Sequence, residues 1–151
     1  MCTLKISSAD FNANDRIPVA YTCDGDNINP SLEVSGVSVK TQSLVLIMDD
    51  IDAPEGIFTH WMVWNIDPAV KEIEEGVIPV GTAQGLNDSG RVGYTGPCPS
   101  SGLHHYHFRL YALDKKLALP EPVTRDELDE AMANHILEED DLVGVYSREE
   151  I

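Results

Sequence analysis

The sequence predicts a β-rich sandwich with one appended helix. Short apolar runs are separated by turn residues at close intervals, the pattern of stacked antiparallel strands. One segment, 125–137, carries helical periodicity, and it comes late in the chain. Strands and helices do not alternate, which argues against a parallel sheet built from βαβ units. The 151 residues are read as a single domain, 1–151. A chain of this size hides roughly 70% of its unfolded surface and can fold on its own core.

Thr3–Ser7 begins the first strand, and Asn12-Ala13-Asn14-Asp15 punctuates the chain after it. Pro18–Thr22 is read as a second strand, closed by the polar turn Asp24-Gly25-Asp26-Asn27. Ser31–Val34 is short. Ser43–Met48 is apolar on both faces, which predicts a central strand covered on both sides. Phe58–Ile66 is rich in aromatic and branched residues and forms another. Val70–Glu74 is an edge candidate, and Tyr106–Leu113 is the last clear core strand. In the helix, Thr124 and Glu127 form a T-x-x-E capping box. Leu128, Ala131, Met132, His135 and Ile136 fall on one face, with His135 read as a packed or half-exposed residue rather than a ligand. Leu142–Tyr146 closes the fold as a strand.

Composition narrows the function classes. Ten Lys and Arg against 26 Asp and Glu give a net charge of −16. Such a field repels nucleic-acid phosphates and anionic membranes, so neither is an expected partner. The longest apolar run, Leu44 to Met48, is too short for a transmembrane helix. The N-terminus lacks the apolar stretch of a signal peptide, and a cytoplasmic location is expected. The three cysteines, Cys2, Cys23 and Cys98, are odd in number and form no C-x-x-C pair. Neither a disulfide framework nor a thiolate zinc site is expected, and a reduced compartment fits.

Three segments place polar groups at the ends of apolar strands. In Met48-Asp49-Asp50-Ile51-Asp52-Ala53-Pro54, alternation puts Asp50 on the face of Leu46 and Met48. In Phe58-Thr59-His60-Trp61-Met62-Val63-Trp64, His60 shares a face with Met62 and Trp64. In the third, a Gly/Pro stretch from Gly93 to Gly102 feeds directly into a strand. There His104, Tyr106, Phe108 and Leu110 share the core face, while His105, His107 and Arg109 alternate to the solvent side. Buried polar groups need partners, and the nearest are each other around a small polar pocket. Two imidazoles, a phenol and glycine amides around Gly96 suit a small oxyanion such as phosphate. The same alternation separates His104 from His105 and His107, so no metal site and no cofactor are expected.

At these segments the sequence resembles the phosphatidylethanolamine-binding protein family, in its bacterial and archaeal Raf-kinase-inhibitor-like branch. The matching stretches begin with Ile17-Pro18, Tyr21-Thr22-Cys23-Asp24-Gly25-Asp26-Asn27 and Asn29-Pro30. They continue through Asp50-Ile51-Asp52-Ala53-Pro54, His60-Trp61 and Trp64-Asn65-Ile66. Gly93 to Pro99, Gly102 to Phe108 and Tyr111-Ala112-Leu113-Asp114 complete the set. The resemblance implies a Greek-key sandwich of two antiparallel sheets with an anion pocket at one end. It implies pocket residues Asp50, Pro54, His60, Gly96, Pro97, His104 and Tyr106, and a phosphate-like anion or phospholipid headgroup as ligand. Ile51 and Ser100 stand where the family often has proline, and His105 where it often has arginine. Eukaryotic relatives carry a further C-terminal helix beside the pocket, so a more open pocket is expected here.

The leading functional expectation is therefore a non-enzymatic anion-binding protein, with a regulatory role as an extension. Inhibition of a serine protease is the alternative, with a hydrolase using the His/Asp pocket behind it. No G-x-S-x-G, P-loop or H-E-x-x-H motif supports catalysis. A kinase or protease partner follows from the resemblance alone. A homodimer is expected from the same source, with Val77-Ile78-Pro79-Val80 as an apolar edge.

Overall fold

The computed structural model describes residues 3–119 and 123–148, so Cys2 lies outside the described residues. Among the described residues, eight strands form two antiparallel sheets. β1 (Lys5–Ser7), β2 (Leu32–Ser35) and β5 (Glu72–Ile73) make the smaller sheet, in the order β1-β2-β5. The larger sheet has the order β6-β4-β3-β7-β8. Its strands are β3 (Ser43–Asp50), β4 (Phe58–Ile66), β6 (Ala83–Gln84), β7 (His104–Leu113) and β8 (Ile136–Tyr146). The single described α-helix, α1 (Arg125–Met132), precedes β8.

Every residue of β3 is buried, as its two-sided apolar run predicts. Leu44, Leu46 and Met48 face the smaller sheet and pack with Trp61, Val63, Phe108, Leu110, Leu32 and Val34. Val45 and Ile47 face the other way, against Met62, Trp64, Leu128 and Met132. The helix thus covers the outer face of the larger sheet. Its capping box forms as expected, with the Thr124 hydroxyl accepting from the Glu127 amide.

Besides shifts of a few residues at the ends of β3, β5 and β7, three strand and helix assignments differ from expectation. Pro18–Thr22 is not a strand, because Val19–Tyr21 forms a 3-10 turn after Pro18. Proline fixes φ near the helical value and starts such turns readily. The helix ends at Met132 rather than Leu137, because Asn134 adopts a left-handed φ of 69° and reverses the chain. Residues 136–141 then join β8, which pairs with β7 from His104↔Tyr146 to Leu113↔Ile136. Their Glu and Asp content hid this strand. Two of those carboxylates are sheet-to-sheet links: the Leu4 amide donates to Glu138 (2.8 Å) and the Ile6 amide to Asp140 (3.0 Å).

The cysteine expectation is also corrected. Cys23 and Cys98 form a disulfide across 75 residues of sequence. An odd count leaves room for one pair, and so long a separation carries no spacing signal.

Candidate functional site

β3, β4 and β7 are neighbours, and one end of all three meets the Gly/Pro loop before β7. Asp50 is the last residue of β3 and lies opposite both Phe58 and Tyr106. Asp50, His60, His104 and Tyr106 are each buried and line one cavity of about 310 Å³. Pro54 stands at its exposed rim, and Gly96 lies in its wall. Pro97 does not line it. That residue is buried behind the wall, where its carbonyl accepts from the Cys23 amide at 3.1 Å.

Strict alternation along β4 would put His60 with Met62 and Trp64, under the helix. A β-bulge overrides it. Met48 lies opposite Trp61 and Asp49 opposite Thr59, so His60 is an extra residue with no partner on β3. The bulge turns its ring to the inner face, 5.4 Å from the Tyr106 ring centroid. The Thr95 carbonyl, 2.6 Å from Nδ1, holds the ring there. Burial pushes the His60 pKa down, against the pull of the Thr95 carbonyl and of Asp50.

Asp50 and His104 form the second feature. The carboxylate Oδ2 lies 2.6 Å from His104 Nδ1, with both side chains under a tenth exposed. His104 Nε2 lies 3.0 Å from the Ser101 carbonyl. Both ring nitrogens are thereby engaged inside the protein. Asp50 Oδ1 accepts from the Asp52 amide at 2.8 Å, which closes the turn after β3.

Tyr106 supplies the third. Its ring is fully buried, and its hydroxyl has no hydrogen-bond partner among the described residues. Burial raises its pKa, with Asp50 and Asp52 adding to the rise, so the hydroxyl stays protonated and is a donor. A buried O–H without an acceptor is an exception that a ligand would remove.

The Gly/Pro wall is tied to residues 21–27 by four links. The Tyr94 hydroxyl donates to the Tyr21 carbonyl (2.6 Å), and the Gly96 amide donates to Asn27 Oδ1 (2.8 Å). The Cys23–Cys98 bond and the Cys23 amide complete the set. A Cβ on Gly96 would stand 2.2 Å from the Tyr21 carbonyl oxygen, so only glycine permits this approach. The Gly96 amide is thereby spent inside the protein and is not a bare anion donor.

Sequence reasoning missed Ala53, Phe58, Ser89, Thr95, Cys98, Pro99 and Ser100 in the lining. Ser89 belongs to a loop organised by buried Asn87, whose side-chain amide donates to the Gly93 carbonyl (2.9 Å) and Thr95 Oγ1 (3.0 Å). The residues 87–90, Asn-Asp-Ser-Gly, carry a turn signal but nothing that points to a cavity. Outside the site, Arg109 is not free in solvent: its Nε donates to Asp49 Oδ2 at 3.0 Å. His105 and His107 do lie on the far side of β7 from the cavity, paired with Asp52 and Asp141.

The phosphatidylethanolamine-binding protein family model matches residues 7–147. The chain belongs to that family. A UPF0098 protein of Pyrococcus horikoshii is 50% identical, over 97% of this chain and 77% of its own length. A UPF0098 protein of Methanothermobacter thermautotrophicus is 47% identical, over 96% of this chain and 99% of its own. Among solved structures, a phosphatidylethanolamine-binding protein homologue from Chlamydia trachomatis superposes with a TM-score of 0.94 at 38% identity. It covers 99% of this chain and 100% of its own. Escherichia coli YbcL, described as a member of the mammalian family, gives 0.90 at 26% identity, over 97% of this chain and 99% of its own. No described helix of the chain is long and apolar enough to cross a membrane.

Proposed function

We propose that this family member is a non-enzymatic binder of a small phosphate-type oxyanion, free or as a phospholipid headgroup. The observation that carries the reading is the Tyr106 hydroxyl, a buried donor without an acceptor, aimed into the same cavity as the Asp50–His104 pair. An oxyanion oxygen would satisfy it.

The hydrogen bonding at His104 also disfavours that residue as a catalytic base. Ser100 lines the cavity, but both nitrogens of the nearby His104 are already engaged, by Asp50 and by Ser101. It has no free base nitrogen to activate a nucleophile. The compartment reading rests on the disulfide: such bonds persist in oxidising compartments and in intracellular proteins of hyperthermophiles. A homodimer remains part of the proposal, supported by the exposed apolar side chains of Val77, Ile78 and Val80. Light scattering at high protein concentration tests it, and a monomer mass refutes it.

The test of the binding reading is calorimetric. Phosphoethanolamine should bind the wild-type protein and bind the Tyr106→Phe variant at least several-fold more weakly. Vesicles of zwitterionic phosphatidylethanolamine in a second arm separate a lipid headgroup from a free solute. Binding of neither, or equal binding by wild type and variant, rejects the reading.

A further inference from the structure

Apart from the exposed Ser100 hydroxyl, the cavity presents a ligand with one unpartnered side-chain donor and one unpartnered imidazole acceptor. His104 is committed to Asp50 and Ser101, and Asp50 to His104 and the Asp52 amide. The Ser89 and Thr95 hydroxyls are engaged with each other and with Asn87. Tyr106 remains as an unpartnered donor. His60 remains as an acceptor for a geometric reason. Its Nδ1 faces the Thr95 carbonyl, which only accepts, so the ring proton sits on Nδ1 and Nε2 carries a bare lone pair. Among the described residues Nε2 meets no protein donor.

The surroundings keep that lone pair bare. Asp50 and Asp49 act on His60 from β3 and Asp88 from the loop after β6, all favouring a proton, but burial outweighs them and pushes the pKa below its ordinary value, which favours the neutral ring. Tyr106 on β7 and Phe58 on β4 supply the nearest rings, at 5.4 and 4.8 Å between centroids. No Lys or Arg lines the cavity.

We infer that His60 selects the protonation state of the ligand: the site takes an oxyanion that still carries a proton, such as a singly charged phosphate monoester, over one that carries none, such as a sulfate ester or the phosphodiester of a phospholipid headgroup. This rests on the oxyanion reading above. A phosphate monoester monoanion has both features the cavity requires. One of its bare oxygens accepts from the Tyr106 hydroxyl, and its P–OH donates to His60 Nε2. A sulfate ester of the same charge turns a lone pair toward a lone pair at His60. One buried unpaired group of this kind changes affinity roughly tenfold or more. The protein's overall negative field adds to the choice, because a dianion is repelled more than a monoanion.

Methyl phosphate and methyl sulfate make the test, because they match in shape and, while the phosphate keeps one proton, in charge. Calorimetric titration at pH 6 should show methyl phosphate binding about tenfold or more tightly than methyl sulfate. Methyl phosphate affinity should fall from pH 6 to 8 as the ligand loses its proton, near pH ~6 for a phosphate ester. Methyl sulfate affinity should not fall in this way. His60→Gln, whose side-chain amide can turn an N–H toward the ligand, should strengthen methyl sulfate binding and bring the ratio toward one. Tyr106→Phe should weaken both ligands and leave the ratio, which keeps the test informative if the His60 variant does not fold. Equal affinities in the wild type overturn proton selection and leave the oxyanion site standing. Binding of neither ligand overturns both. An unchanged ratio in folded His60→Gln, or a lost ratio in Tyr106→Phe, overturns the role of His60.

Discussion

Asp49 and Asp50 are adjacent in sequence, alike in chemistry and both buried on β3, yet they serve opposite faces of one sheet. Asp49 points outward beneath the helix. Its Oδ2 accepts from Arg109 Nε and Arg125 Nη1, each at 3.0 Å, and Arg125 also reaches Asp129 and Thr59. That carboxylate joins β3, β7 and α1. Asp50 points inward to a cavity, pairs with a single imidazole and leaves the nearby Tyr106 hydroxyl without a partner. A carboxylate held by two guanidinium groups belongs to the architecture, even though its Oδ1 has no hydrogen-bond partner among the described residues. A polar cluster with an unmet donor belongs to a ligand. Residue type and burial alone do not separate the two aspartates; only the partners do.

The largest expected effect falls on the cavity wall. Cys98→Ser opens a loop spanning 75 residues, and the chain-entropy model assigns such a cross-link about 4 kcal/mol. Urea unfolding should show a loss of that order, with weaker oxyanion binding beside it, because the wall then hangs on the Tyr94, Gly96 and Cys23 hydrogen bonds. Intact binding would mean that the wall needs no covalent tie.

Next comes the outward aspartate. Asp49→Ala leaves Arg109 and Arg125 turned toward a buried position without a carboxylate. The arginines keep about a quarter of their side chains in solvent, so the cost should sit at the low end for a broken buried pair, about 3 kcal/mol. Oxyanion affinity of the folded protein should stay within about twofold, a change of at most ~0.5 kcal/mol. Asp50→Asn should invert that pattern. Denaturant unfolding should show a loss of about 2 kcal/mol, the worth of a hydrogen bond to a charged group, while calorimetry shows most of the oxyanion affinity gone. Equal profiles for the two variants would erase the distinction between the faces.

A smaller effect follows from His60. Its folded-state pKa lies below the ordinary ~6.5 because of burial, so on acidification the unfolded chain takes up the proton first. Stability from this group is complete above about pH 6.5 and is lost as pH falls through the window toward the lowered folded value. The slope cannot exceed about 1.4 kcal/mol per pH unit for one group. Asp24 and Asp52 have lowered pKa values, through hydrogen bonds from Tyr146 and His105 respectively, so their contribution is lost only further down, in the acid range below ~4. Thermal melts of wild type and His60→Gln between pH 5 and 7 should therefore converge in slope only if this account fails.

The smallest effect is the most diagnostic. Tyr106→Phe should change stability by less than about 1 kcal/mol, and in the stabilising direction, because the hydroxyl it removes is buried and unpaired. Tyr146→Phe should cost about 1 kcal/mol, because that hydroxyl donates to Asp24 at 2.7 Å. Paired melting curves check the contrast, and a Tyr106 variant less stable than the Tyr146 one would show that the orphan hydroxyl has a protein partner.

By itself the sequence determined the layers. The two-sided apolar run 43–48 could only be a central strand, and Thr124 with Glu127 could only pay off at a helix start, because both signals act within a few residues. It also determined that Asp50, His104 and Tyr106 point inward, since period-two alternation is local geometry. What tertiary structure decided is everything that depends on a neighbour far along the chain. Alternation sent His60 to the helix side, and the pairing of β4 with β3 inserted the bulge that brought it back. Cys23 finds Cys98, and Asn27 takes the Gly96 amide, only once the two loops pack together. Residues 136 and 137 read as the end of the helix, yet 136–141 form a strand because β7 offers them an open edge and the amides of Leu4 and Ile6 reach Glu138 and Asp140. Periodicity records which way a side chain points along its own strand. It holds no record of the partner that completes its hydrogen bonds, and at this cavity the missing partner of Tyr106 is the functional signal.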